Sequence, residues 1–153
     1  MRYIIDAYNL IGQLPQLSLS TPNKEEQLIH FLTQLSRNST DKFLIVFDGH
    51  QPDIDHQQTI QKGSLKIIYT DKCDSADDYI IRKIESTTSK HVTIVSSDRK
   101  IQYSAKRKKI PYISCLKFIK TYRRATIFKE PQKPTIKPND PMINFWLKEF
   151  GQL

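Results

Sequence analysis

Arg2-Tyr3-Ile4-Ile5-Asp6-Ala7-Tyr8-Asn9-Leu10-Ile11-Gly12 is the stretch whose reading decides the fold. Its apolar start does not alternate, the mark of a strand buried on both faces, and it stops at an acid, an aromatic and an amide. In open α/β sheets ligands bind outside the carboxyl ends of the strands. Asp6 is therefore expected at the rim of a site rather than inside the core.

The same pattern recurs downstream. Lys42-Phe43-Leu44-Ile45-Val46-Phe47 ends in Asp48-Gly49, and Lys90-His91-Val92-Thr93-Ile94-Val95 ends in Ser96-Ser97-Asp98-Arg99. Between them, Ser64 to Tyr69 reads as a partly alternating strand at a sheet edge. It empties into a helix capped by Ser75, with Asp77 and Asp78 in the first turn. Residues 12–20 read as a loop. Thr21-Pro22 reads as an N-cap with proline at the first helical position, and Leu28, Phe31, Leu32 and Leu35 carry an amphipathic helix over 22–37.

Residues 50–63, with Pro52, four glutamines and Gly63, are expected as a loop or a short exposed helix. Ile101 and Ala105 mark a helix that ends in Lys106-Arg107-Lys108-Lys109 and is stopped by Pro111. Tyr112-Ile113-Ser114 is a short strand, and a last helix finishes at Tyr122-Arg123-Arg124. The order βαββαβαβα predicts a three-layer α/β/α sandwich on a mostly parallel sheet. That domain spans 1–125. Residues 126–153 form a basic arm with Pro131, Pro134, Pro138 and Pro141, followed by an amphipathic helix over 142–150.

A chain of 153 residues supports one domain with a real core. No leader pattern opens it and no apolar run is long enough for a bilayer, which predicts a cytoplasmic protein that does not engage membranes. Cys73, Cys115 and the histidines at 30, 50, 56 and 91 show no zinc spacing, and the two thiols are expected to be reduced. The net charge of +8 is unevenly spread: residues 1–98 hold 10 basic and 13 acidic side chains, residues 99–137 hold 13 and 1. A block of that sign attracts a polyanion, and nucleic acid is the commonest; a solvated face is the bland alternative.

Asp6, Asp48, Asp77 with Asp78, and Asp98 all fall where a parallel sheet projects side chains to one end. Each has an ordinary explanation as a cap or turn residue, Asp48-Gly49 above all, but coincidence at one edge is a different matter. Clustered carboxylates repel, and a divalent ion neutralises them; all-oxygen donors suit Mg²⁺ or Mn²⁺ acting on a phosphodiester. An aspartyl phosphatase would want an acid where Tyr8 stands, no P-loop is present, and Asp53 and Asp55 lie in a polar loop.

Ile5-Asp6-Ala7-Tyr8-Asn9-Leu10-Ile11-Gly12, Val46-Phe47-Asp48-Gly49, Ser75-Ala76-Asp77-Asp78 and Ser97-Asp98-Arg99-Lys100-Ile101-Gln102 resemble, in order, the motifs of the YacP-like NYN domain, a bacterial branch of the PIN-like nucleases. The resemblance covers about residues 3–122. It implies a metal-dependent endoribonuclease with Asp6, Asp77 and Asp98 as core metal ligands and catalytic acids. Asp48 and Asp78 would support them, with Asn9 and Ser97 as accessory groups. Arg99, Lys100, Lys106, Arg107, Lys108, Lys109, Arg123 and Arg124 would contact RNA. Members of the family are linked to messenger RNA cleavage on ribosomes, so RNA and the ribosome are the implied partners. A catalytically idle RNA- or ribosome-binding module and a nuclease for structured DNA are the rival readings. The chain departs from the pattern at Ala7, where the family has glycine, and at Lys109-Ile110-Pro111, where a helix-ending glycine is expected.

Overall fold

In the computed structural model the opening stretch begins with strand β1, Arg2–Asp6. Described are residues 1–14, 22–37, 39–49, 56–88 and 90–128, the side chains of 123–128 excepted. Parallel ladders join β1 to β2 (Lys42–Phe47) and β5 (Val92–Val95), with Ile5 opposite both Ile45 and Val95. Strand β4 (Leu65–Tyr69) lies parallel to β2, β6 (Tyr112–Ile113) parallel to β5, and β3 (Gln58–Lys62) antiparallel to β4. The sheet order is β3-β4-β2-β1-β5-β6.

Period-2 geometry splits the apolar side chains between two faces. Ile5, Phe43, Ile45, Phe47, Leu65 and Ile67 join one cluster with α1 (Ala7–Gln13), α2 (Lys24–Arg37) and α5 (Cys115–Phe128). Ile4, Val46, Ile68, Val92 and Ile94 join the other with α3 (Ala76–Ser86) and α4 (Arg99–Arg107). Each wholly buried side chain of this kind contributes on the order of 2 kcal/mol. Asp6 shares its parity with Ile4 and so falls on the α3 side, which matters below. No helix among the described residues is long and apolar enough to cross a membrane.

The α/β sandwich stands as expected, with local corrections. The chain does not pass from β1 into a loop: Ala7, Leu10 and Ile11, buried at helical spacing, start α1 at once. Pro22 stands in a turn before α2 rather than in its first turn, and Thr21 lies outside the described residues. The polar stretch expected as loop or exposed helix contains β3. All five β3 residues are exposed, so what holds them is the ladder to β4 and the tight turn at Gly63, with φ 61°. Consequently β4 is interior to the sheet, not an edge. The last helix runs to Phe128 instead of finishing near Arg124. The remainder of the arm and the helix expected over 142–150 lie outside the described residues, as does His50. Cys73 and Cys115 are both free thiols, as expected.

The end of α4 explains one departure from the family pattern. Ile110 N–H reaches the Ala105 carbonyl (2.9 Å) and Lys109 N–H the Lys106 carbonyl (3.1 Å), the two bonds of a Schellman end. That geometry needs a left-handed residue, and Lys109 supplies it with φ 59°. A lysine there costs about 1 kcal/mol relative to glycine. Lys109→Gly should therefore raise the unfolding free energy by about 1 kcal/mol in urea melts; a loss of stability would show that the lysine makes compensating contacts.

Candidate functional site

Topology brings the acids together. Asp6 closes β1, Asp48 follows β2, Asp98 follows β5, and Asp77 opens α3 beside them. Asp6 is only 5% exposed, yet it forms no side-chain cap bond to the helix it precedes. Ser96 Oγ–H donates to it at 3.3 Å. Burial, then the nearby Asp77 carboxylate, push its pKa up to about 7; the Ser96 hydroxyl and the Asn9 N–H offset part of this, and Asp48 adds to the rise. Asp77 is also raised, first by burial, then by Asp98 and Asp48, with Lys100 opposing.

The other acids carry structural duties as well. Asp98 caps α4, accepting the N–H groups of Lys100 (2.8 Å) and Ile101 (3.4 Å). Asp48 accepts the Ala76 N–H and so pins the start of α3, while Ser75 caps that helix through the Asp78 N–H at 3.0 Å. Because Ser75 performs the capping, Asp77 is not needed for it. Asp78 is exposed and pairs with Lys100 at 3.5 Å. Gly49 is no ordinary turn residue. A Cβ there would lie 1.5 Å from the Thr70 carbonyl oxygen, and its N–H donates to Thr70 Oγ1 at 3.0 Å, so only glycine lets the chain leave Asp48 along this path.

Asn9 is locked. Its Oδ1 accepts the Ser97 backbone N–H at 2.7 Å and the Cys115 thiol at 3.1 Å. A backbone N–H can only donate, which fixes the amide's orientation and leaves its own N–H donors as what Asn9 offers a ligand. Ser97 Oγ in turn accepts the Cys115 N–H at 3.2 Å. The Cys115 thiol is fully buried and its pKa is pushed up to about 11, first by burial, so it stays a neutral donor.

Two of these partners are absent from the residues singled out in sequence. Ser96 holds both Asp6 and the Asp98 N–H (3.1 Å), and its only sequence signal is its place between a buried strand and an acid. Cys115, far along the chain, gives none. Of the expected phosphate-binding residues, Arg99 and Lys100 lie at the site and are exposed. Lys106, Arg107, Lys108 and Lys109 do not: they stand at the opposite end of α4, whose nine residues span about 14 Å. The side chains of Arg123 and Arg124 lie outside the described residues.

Among the described residues no group of three or more His, Cys, Asp or Glu side chains is placed so as to hold a metal ion between them. The donor chemistry nevertheless fits a hard cation. Mg²⁺ keeps several waters and takes only one or two carboxylates directly, and a cluster in which neighbouring carboxylates help to raise the pKa values of Asp6 and Asp77 is one that positive charge relieves.

A sequence model of the YacP-like NYN domain matches residues 3–142. Two crystal structures of Rae1 (YacP) from Bacillus subtilis are similar in fold. A single-substitution mutant superposes with a TM-score of 0.60 at 21% identity, covering 81% of this chain and 77% of that one. A second structure gives 0.59 at 20% identity, covering 83% and 78%. No curated protein matches the sequence.

The raised pKa of Asp6 has a sign that can be checked. Its folded value of about 7 lies above the unfolded 3.8, so the folded state binds the proton more tightly, and stability attributable to Asp6 is lost as pH rises from about 4 through 7. Asp6→Asn should thus gain stability relative to the unsubstituted protein between pH 4 and pH 8, by at most ~4 kcal/mol. Metal-free urea unfolding at the two pH values measures it; an equal difference at both would mean that Asp6 titrates normally.

Proposed function

The chain belongs to the YacP-like NYN domain family, a nuclease-type domain, and from that premise we propose that it is a metal-dependent endoribonuclease acting on RNA in the cytoplasm, messenger RNA on ribosomes included. One observation carries the reading. A buried carboxylate with no capping duty sits at the end of the central strand, and neighbouring acids help to raise its pKa.

Asp6, Asp77 and Asp98 would hold Mg²⁺ or Mn²⁺, with Asp48 and Asp78 as outer support. When bound, such an ion supplies a Lewis acid for a phosphate oxygen and lowers the pKa of water at neutral pH. The protein's own groups do the rest. Ser96 and the Asn9 N–H stabilise the ionised form of Asp6. The Asn9 side-chain donors orient a phosphate oxygen, and Arg99 and Lys100, exposed beside Asp98, attract the flanking backbone. Hydrolysis in this arrangement leaves a 5′-phosphate and a 3′-hydroxyl. The second reading, an idle RNA- or ribosome-binding module, is favoured by the capping and pinning duties that Asp98 and Asp48 already discharge.

Labelled single-stranded RNA, incubated with the protein and Mn²⁺ or a chelator, separates the two. Cleavage should require the ion. Asp6→Asn should lose at least the roughly 10–100-fold that removal of an outer-sphere partner costs a metal site. Activity that survives chelation or the substitution would overturn the metal–carboxylate mechanism, and an unsubstituted protein inert even with ribosomes present would leave the binding module.

A further inference from the structure

At the end of the strands opposite the carboxylates, the C-terminal ends of α3 and α4 meet the starts of β5 and β6 around a cleft of about 260 Å³. Thr87, Thr88, Lys90, Lys108 and Lys109 line it, with the buried Ile110 among them. Among the described residues no acid lines it, and the described ion pairs, which join Met1, Lys24, Arg82 and Lys100 to acids, use none of these lysines. Like charges crowded on one concave surface repel unless an anion enters.

Helix dipoles explain part of this charge, since Lys106 and Arg107 close the last turn of α4. They do not explain Lys90, which belongs to neither helix. Nor do they explain a lysine at position 109, held at φ 59° where glycine is the relaxed choice. Backbone strain retained at a residue that lines a charged cleft points to a use for its side chain. The volume is below that of an ordinary small-molecule pocket and suits a phosphate group on a longer ligand.

From this we infer that the cleft grips a phosphodiester of RNA at a point remote from the bond being cut, a second anchorage separated from the carboxylates by at least the length of α4. The inference rests on RNA being the ligand. It gives the basic run a role other than lining the path at the carboxylates: RNA must be long enough, or folded so as, to touch both ends of the sheet.

Binding is best read in the full-length Asp6→Asn chain, where no cleavage intervenes, by fluorescence anisotropy of a labelled RNA of about 16 nucleotides across a salt series. Single-stranded RNA contributes a slope of about −0.7 per neutralised phosphate. Adding Lys90→Ser, Lys108→Ser and Lys109→Gly should therefore flatten the plot of log affinity against log salt by about 0.7, the contribution of the one phosphate held there, with an affinity loss of about tenfold at low salt. Lys66→Ser with Lys117→Ser and Lys120→Ser removes equal charge elsewhere and should flatten it less. Equal flattening would reduce the cleft to diffuse attraction and overturn the assignment. Backbone amide signals of Thr87, Thr88 and Lys109 should shift with the RNA. Displacement of the RNA by inorganic phosphate at matched phosphate concentration would assign the cleft to a free anion instead and overturn the RNA backbone as its ligand. An unsubstituted chain that cuts nothing sinks the nuclease reading alone, because the binding measurement does not depend on cleavage.

Discussion

Parallel pairing forces negative charge together. Strands β1, β2 and β5 run side by side in the same direction, so the acids at their ends share one edge whether or not that is electrostatically favourable. Asp6 suffers most because it is the most buried, and its pKa is pushed up to about 7. The surrounding polar contacts manage this repulsion. Ser96 donates to Asp6, Asp48 is engaged by the Ala76 N–H, and Asp98 by the first turn of α4. The edge is organised for charge yet left short of neutral, the condition in which a cation binds with most effect.

The same topology accounts for the opposite pole. In a parallel sandwich every helix that follows a strand begins at the carboxyl edge of the sheet and ends at the other, so helix dipoles point one way. Acids gather at helix starts and bases at helix ends. Asp77 and Asp98 stand at the first, and Lys83, Lys106 and Arg107 at the second. Charge separation across the sheet is thus the default product of the fold. Only the features the dipole does not explain, a lysine outside both helices and a strained one beyond α4, single out the cleft.

Much of this was legible in residues 1–14 and their echoes. Buried parallel strands announce themselves as unbroken apolar runs, and the acids that follow them share the carboxyl edge of the sheet that this pattern implies. The failures have physical causes. Helix α1 was hidden because Ala7, Leu10 and Ile11 continue the hydrophobicity of β1, and a short apolar run does not distinguish strand from helix. Strand β3 buries no side chain, so it has no pattern to read. Ser96 reaches Asp6 across 90 residues and Cys115 reaches Asn9 across 106, separations at which sequence spacing carries no information.

Strand β3 has a further consequence. A parallel sheet ending at β4 would expose the backbone donors and acceptors of Leu65-Lys66-Ile67-Ile68-Tyr69, an apolar template for a neighbouring chain. The hairpin through Gly63 spends five exposed residues, closing with Lys62, on covering that edge, and at the other margin β6 offers only two residues for pairing. Both margins thus discourage intermolecular β-pairing. Cover for the apolar β4 margin is supplied by the least hydrophobic strand of the sheet.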